Sequence, residues 1–186
     1  MTSPISTWTL YESPLGPLTL AVGRRGLTDL RFPGKLRLPE EAAKSQMPEV
    51  AEQLDGYFAG ERRDFDLPLD LQGSAIQLAV WRELLAIPYG TTLSYGELAA
   101  RIDPLLFRTR IEPWQRARAV GAANGRNPIS IIVPCHRVIG ADGSLTGYAG
   151  GLQRKKALLD LERRTVAGSS PPSSWADRQL AFPAGG

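Results

Sequence analysis

The sequence predicts an α+β protein, a small antiparallel sheet followed by a mainly helical part, and three observations carry that prediction. Residues 7–32 alternate β-rich runs with turns. From Ser74 onward, apolar residues recur at helical spacing behind clear N-terminal caps. The only cysteine and the only histidine of 186 residues, Cys135 and His136, stand side by side in that second part.

Taken in order, Thr7–Glu12 and Leu18–Val22 read as two strands around the turn Ser13-Pro14-Leu15-Gly16-Pro17. A second turn, Gly23-Arg24-Arg25-Gly26, leads to a third strand, Leu27–Phe32, completing an antiparallel meander. Pro48 suits the first turn of a helix whose apolar positions are Val50, Leu54, Tyr57 and Phe58. Phe65–Leu69 alternates like an edge strand, and Asp70–Gly73 reads as a hinge, so residues 1–70 form an N-terminal unit. Ser74 with Gln77 is a capping box opening a helix with Ile76, Val80, Trp81, Leu84 and Leu85 on one face; Ser94 with Glu97 opens a second, short helix. Pro113 opens a third, Trp114 to about Asn124, and a last helix, Leu152 to about Arg164, places Leu158, Leu159 and Leu161 inward. Residues 166–186, rich in Gly, Ser and Pro, have the composition of a disordered tail.

Composition bounds the function. With 42% hydrophobic and 22% charged residues and no apolar run long enough to span a membrane, the expectation is a cytoplasmic protein without membrane association. One cysteine forbids an internal disulfide, and one Cys with one His cannot complete a structural zinc site, so neither metal nor cofactor is expected. The net charge of +3 is unevenly spread: residues 1–70 carry 8 basic against 11 acidic residues, and residues 71–186 carry 14 against 8. Six arginines (101, 108, 110, 116, 118, 126) between Arg101 and Arg126 fit a polyanion partner as well as they fit a solvated helix face.

The short helix, connection and basic helix outline a helix-turn-helix, although the connection Ile102–Glu112 is long for that motif and a generic helical subdomain fits equally well. Small residues, Ala117, Ala119, Gly121, Ala122 and Ala123, would let the third helix approach a narrow groove while Arg118 projects. Ile129–Val133, bracketed by prolines, reads as a buried strand delivering Pro134-Cys135. His136 and Arg137 beside the cysteine would lower its pKa and activate it; an inert, buried structural cysteine is the competing reading. In extended chain, neighbours point to opposite faces, so a direct Cys135–His136 contact needs a kink at Pro134, or a proton path through water or another group. Gly147–Gly151 is a glycine-rich loop without phosphate-loop spacing.

Pro134-Cys135-His136-Arg137-Val138, preceded by Arg118-Ala119-Val120-Gly121 and Asn124-Gly125-Arg126-Asn127-Pro128-Ile129 and followed by Gly147-Tyr148-Ala149-Gly150-Gly151-Leu152, closely resembles the O6-alkylguanine-DNA alkyltransferases. Ile87-Pro88-Tyr89-Gly90 and Ser94-Tyr95-Gly96-Glu97-Leu98-Ala99 match as well. The resemblance spans roughly residues 7–165 and is strongest from residue 74.

It implies an RNase H-like N-terminal domain (1–70) and a DNA-binding, alkyl-transfer domain (74–165). It also implies single-turnover transfer of the alkyl group of O6-alkylguanine in DNA to Cys135. In that scheme His136 activates the thiol through a water, Glu162 orients and charges His136, and Asn127 braces the turn before the reactive segment. Tyr148 would hydrogen-bond the flipped base, and the backbone of Cys135, Val138 and Ala149 would read its edge. Tyr95 would press on the adjacent phosphate, Arg118 would replace the extruded base, and Ala119, Ala122 and Arg126 would line the DNA. The implied partner is alkylated DNA, bound through the minor groove with little sequence preference by a monomer. A binding-only relative usually carries tryptophan in place of the reactive cysteine. A sequence-specific regulator has no use for the cysteine segment, and a cysteine hydrolase is weakened by the adjacent histidine.

Overall fold

A computed structural model describes residues 5–33, 38–107 and 111–168. Three antiparallel strands, β1 (Thr7–Ser13), β2 (Gly16–Gly23) and β3 (Gly26–Arg31), form the expected meander, with a bulge at Ala21/Val22. A two-residue strand, β4 (Ala43–Lys44), joins β1 in parallel and gives the sheet order β3-β2-β1-β4. Too short to carry a sequence pattern, β4 had no signal to read. Helix α1 (Pro48–Phe58) starts with Pro48 in its first turn and buries Val50, Leu54, Tyr57 and Phe58 as its spacing predicts.

Phe65–Leu69 is not an edge strand. Only Leu69 bridges, in parallel with Leu27, through Leu27 N–H to Pro68 O and Asp70 N–H to Leu27 O, each 2.8 Å. The connection at Asp70–Gly73 is packed: Asp70 is buried, Arg25 pairs with it at 2.6 Å, and a Cβ on Gly73 would lie 2.8 Å from Trp81.

Both predicted capping boxes are present. Ser74 Oγ accepts from Gln77 N–H and Gln77 Oε1 from Ser74 N–H at the start of α2 (Ala75–Leu85); Ser94 and Glu97 repeat the pattern at α3 (Tyr95–Arg101). Val80, Trp81 and Leu84 are buried and Ile76 half-buried, but Leu85 is 44% exposed and leaves the predicted face. Helix α4 (Pro113–Asn124) packs on α3 and α2, with the Trp81 indole N–H donating to Ala123 O at 3.0 Å. The connection from α3 includes a 3-10 turn, Pro104–Leu106, and the buried Phe107; Arg108 and Arg110 lie outside the described residues. Two-residue strands β5 (Leu93–Ser94) and β6 (Val138–Ile139) pair in parallel, and α5 (Leu152–Val166) closes the fold with Leu158, Leu159 and Leu161 buried. The predicted disordered tail lies, beyond Gly168, outside the described residues. No helix among those described is long and apolar enough to cross a membrane.

The run Ile129–Val133 is not a strand. Leu30 and Ile129 form a single parallel bridge, after which Ile132 N–H donates to Ser130 O (2.9 Å) around Ile131 at φ 72°, a γ-turn with positive central φ. That conformation costs a β-branched residue on the order of 1–3 kcal/mol. Cys135 N–H then donates to Val133 O (2.8 Å) around Pro134 at φ −81°, ψ 62°, an inverse γ-turn, and Cys135–Arg137 form a 3-10 turn. Apolar β-branched composition reported burial here correctly, since Ile129–Val133 is buried throughout. What decides against a strand is the lack of a paired neighbour beyond Ile129.

Candidate functional site

The two turns lead from the end of α4 to Cys135, and Asn127 holds them. Its Nδ2 donates to Val133 O (2.7 Å) and its Oδ1 accepts from Ile129 N–H (3.0 Å), so one buried side chain ties both ends of the segment. Cys135 is 5% exposed. Burial pushes its thiol up to about 11, opposed by Asn127 beside it and by the charge of Lys155. The side chains of His136 and Arg137, expected to lower this pKa, turn to Glu162 instead, and His136 bears on the thiol only through its backbone. Near neutral pH the thiol therefore stays protonated, and nucleophilic chemistry here needs a base.

Glu162 is a fully buried carboxylate with a complete donor set. Its Oε1 accepts from Tyr57 Oη (2.8 Å), His136 Nε2 (2.8 Å) and Arg137 Nη2 (2.9 Å); its Oε2 accepts from Arg137 Nε (2.9 Å) and Gly90 N–H (3.0 Å). Burial opposes its ionisation, but His136 and Arg137 outweigh that and hold it well below the usual carboxylate range. Gly90, at φ 74°, allows the close approach: a Cβ there would lie 2.6 Å from Val166. Arg137 also donates to Ile87 O at 2.6 Å.

His136 is wholly buried. Desolvation first, then the positive charges of Arg137 and Lys155, lower its pKa against the pull of Glu162. The ring is therefore neutral near pH 7. An ionised carboxylate only accepts, so Nε2 carries the hydrogen and Nδ1 presents a lone pair. Buried Nδ1 has no hydrogen-bond partner among the described residues. This tautomer makes His136 a base at Nδ1 with its proton-bearing side already anchored.

Tyr148, Tyr95 and Lys155 surround the thiol's other side. The Tyr148 hydroxyl is buried near Ser130 and makes no hydrogen bond of ordinary geometry; burial, then the nearness of Cys135, keeps it protonated. Tyr95 Oη lies within hydrogen-bond reach of the carbonyls of Thr146 (3.2 Å) and Gly147 (3.4 Å), so here it caps the glycine loop. Lys155 Nζ donates to Val138 O and to Thr146 O, and burial lowers its pKa to about 8. The Val138 carbonyl assigned to base reading thus already accepts one bond, which leaves a second lone pair. The Cys135 carbonyl accepts from Val138 N–H and, at 3.4 Å, from Asn124 Nδ2. Ala149 is exposed on the same loop.

Sequence reasoning missed Tyr57, Gly90 and Lys155. Lys155 left a signal, standing seven residues before Glu162 and so on the same face of α5. Tyr57 left none, since its hydroxyl meets Glu162 across 105 residues. The DNA-binding expectations fall on α4, whose exposed residues Arg118 and Ala122 continue to Arg126, while Ala119 is half-buried. No group of three or more His, Cys, Asp or Glu able to hold a metal occurs among the described residues.

Residues 75–164 match the DNA binding domain of 6-O-methylguanine DNA methyltransferase, and residues 7–71 its ribonuclease-like domain. The chain belongs to the 6-O-methylguanine DNA methyltransferase family. It is 52% identical over 157 residues to a methylated-DNA–protein-cysteine methyltransferase of Mycolicibacterium paratuberculosis, covering 82% of this chain and 90% of that one. A protein of the same name from Methanosarcina acetivorans is 46% identical over 160 residues, covering 83% and 97%. Among solved structures, Mycobacterium tuberculosis OGT in complex with DNA matches with a TM-score of 0.75 at 44% identity, covering 92% of this chain and 99% of that one.

Proposed function

We propose that the protein repairs DNA by transferring the alkyl group of O6-alkylguanine to Cys135 in one self-inactivating turnover, after the damaged base is flipped out of the duplex. The observation that carries this is the buried Cys135–His136–Glu162 arrangement, with a neutral imidazole lone pair, placed directly after a helix with an exposed basic face. His136 Nδ1 takes the thiol proton through a water. The Sγ lone pair attacks the alkyl carbon, the carbon–O6 bond breaks, and its electron pair passes to guanine, which takes up a proton. Tyr148, kept protonated beside the thiol, is the hydrogen-bond donor to the base. The thioether is stable, so the protein is consumed. Glu162 balances the imidazolium as it forms, Asn127 fixes the turns, and the backbone of Cys135, Val138 and Ala149 reads the guanine edge. A binding-only relative is disfavoured by the cysteine itself.

DNA is the partner. The small residues beside Arg118 on α4 favour the minor groove, where repair without sequence preference places its contacts, and Tyr95 reaches the phosphate next to the flipped base. The protein acts as a cytoplasmic monomer, with residues 1–70 as a supporting domain, 74–165 as the reactive one and 166–186 as a tail. Incubation with a duplex holding one O6-methylguanine should add the mass of one methyl on Cys135 and restore guanine; tight binding without a mass change would refute transfer. Arg118→Ala should weaken binding roughly tenfold or more and slow transfer, because the hole left by the extruded base goes unfilled. Anisotropy titrations and single-turnover rates check this, and unchanged values would remove Arg118 from that role.

A further inference from the structure

Helix α4 has a regular outer face. Trp114, Arg118, Ala122 and Arg126 are all exposed and stand four residues apart, three on α4 and the fourth just past its end, while Val120, Ala123 and Asn124 face the core. Residues four apart lie on one face of a helix, so Trp114, Arg118 and Ala122 form a stripe, which the exposed Arg126 follows just past the helix end. The last three are those the repair reading places against DNA. Trp114, one turn nearer the helix start, is 58% exposed.

Two contacts define this end of the helix. The Arg118 guanidinium lies over the Trp114 ring at 5.8 Å, which stacks the arginine back against its own helix in the free protein. The Arg116 guanidinium lies over Phe107 at 5.5 Å, and Phe107 is buried, so that ring packs on a different side of α4 from Trp114. The indole is thus left 58% exposed beside this contact.

We infer that Trp114 is a DNA-stacking residue, packing its indole into the opened base step in the minor groove one helical turn from Arg118. The inference rests on the repair reading above and adds a contact that reading does not contain. The occupant follows from charge and continuity: the stripe carries Arg118 and Arg126 and no acidic residue, and its lower turns are the ones that the repair reading sets against DNA. Flat aromatic rings stack on any base, which suits a protein that must act at any sequence, and bulky side chains inserted beside an extruded nucleotide stabilise the opened duplex. An exposed cation–π pair is weak enough to open on binding, which frees Arg118 and Trp114 together.

The test is the affinity for a short duplex, intact or carrying one O6-methylguanine, measured by fluorescence anisotropy in a Cys135→Ala background so that the lesion persists. Trp114→Ala should weaken binding to the lesion duplex roughly tenfold, and Trp114→Phe by less, with the thermal midpoint unchanged because the side chain is exposed. Equal affinity for Trp114→Ala and its parent overturns the inference. So does a Trp114→Ala change that adds nothing once Arg118 is alanine, since the indole would then act only by holding the arginine; a further loss in that background supports direct stacking. Failure of the unsubstituted protein to methylate Cys135 on the same duplex would instead defeat the repair reading, and the inference with it.

Discussion

Replacing Cys135 by alanine should abolish alkyl transfer to below detection while leaving binding to lesion-bearing DNA within a few-fold of the parent. The loss is total because no substitute nucleophile is at hand: Cys135 is the only cysteine of the chain. The nearest alternatives are the Tyr148 phenol, held protonated by burial, and the Lys155 ammonium, committed to the carbonyls of Val138 and Thr146. Binding survives because the exposed stripe of α4 contains no part of the thiol's surroundings. Folding survives too. Alanine removes one sulfur from a site closed by backbone turns, and the Asn127 bonds that hold those turns reach Val133 O and Ile129 N–H, not the thiol alone. Intact-protein mass spectrometry and anisotropy on the same duplex read the two halves separately. Transfer by the alanine variant would show that the acceptor is elsewhere, and loss of binding would show that the thiol segment forms part of the DNA-reading surface.

The readability of the fold tracks how local its causes are. Capping boxes at Ser74 and Ser94 and the prolines at Pro48 and Pro113 fix helix starts within a few residues, and all four are where the sequence places them. Leu85 fails because a helical stripe reports spacing, not what lies opposite it: Leu84 beside it is buried while Leu85 is 44% exposed. Ile129–Val133 fails for a related reason: β-branched apolar residues signal burial, and whether burial means a strand depends on a partner that a single sequence does not display. Here the partner, β3, offers one bridge at Leu30 and then parts from the chain, leaving two γ-turns. Cys135 and His136 were legible as chemistry because both residue types occur once and together. Their pKa logic was not legible. Adjacency in sequence suggested that His136 and Arg137 would activate the thiol, whereas both side chains turn to Glu162, and the cation that bears on the thiol is Lys155, twenty residues on.

The largest stability effect is expected at Glu162. Glu162→Gln should destabilise the protein by about 3–5 kcal/mol, because Arg137, 6% exposed, would keep its charge in the interior without a counter-ion. The amide also puts an N–H group where one of the five donor groups now points, so at least one of Tyr57, His136, Arg137 and Gly90 loses its acceptor. For a chain of this size the midpoint should drop on the order of 10 °C. Removing both charges, as Glu162→Gln with Arg137→Met, should recover part of that loss, which separates unpaired charge from lost packing.

The pH dependence has a definite sign. The folded pKa of Glu162 lies below its unfolded value, so its contribution is full above about 4.5 and is lost as pH falls through the depressed folded value. His136, also depressed, adds a loss in the same direction that begins below about 6.5, where the unfolded imidazole takes up a proton and the buried one does not. Unfolding midpoints measured from pH 8 to pH 4 should therefore fall on the acid side for the native protein, and its advantage over Glu162→Gln should narrow below about pH 4.5 as the unfolded carboxylate protonates. A constant gap across that range would mean that the Glu162 carboxylate contributes shape and hydrogen bonds without its charge, and the electrostatic anchoring of His136 would have to be given up.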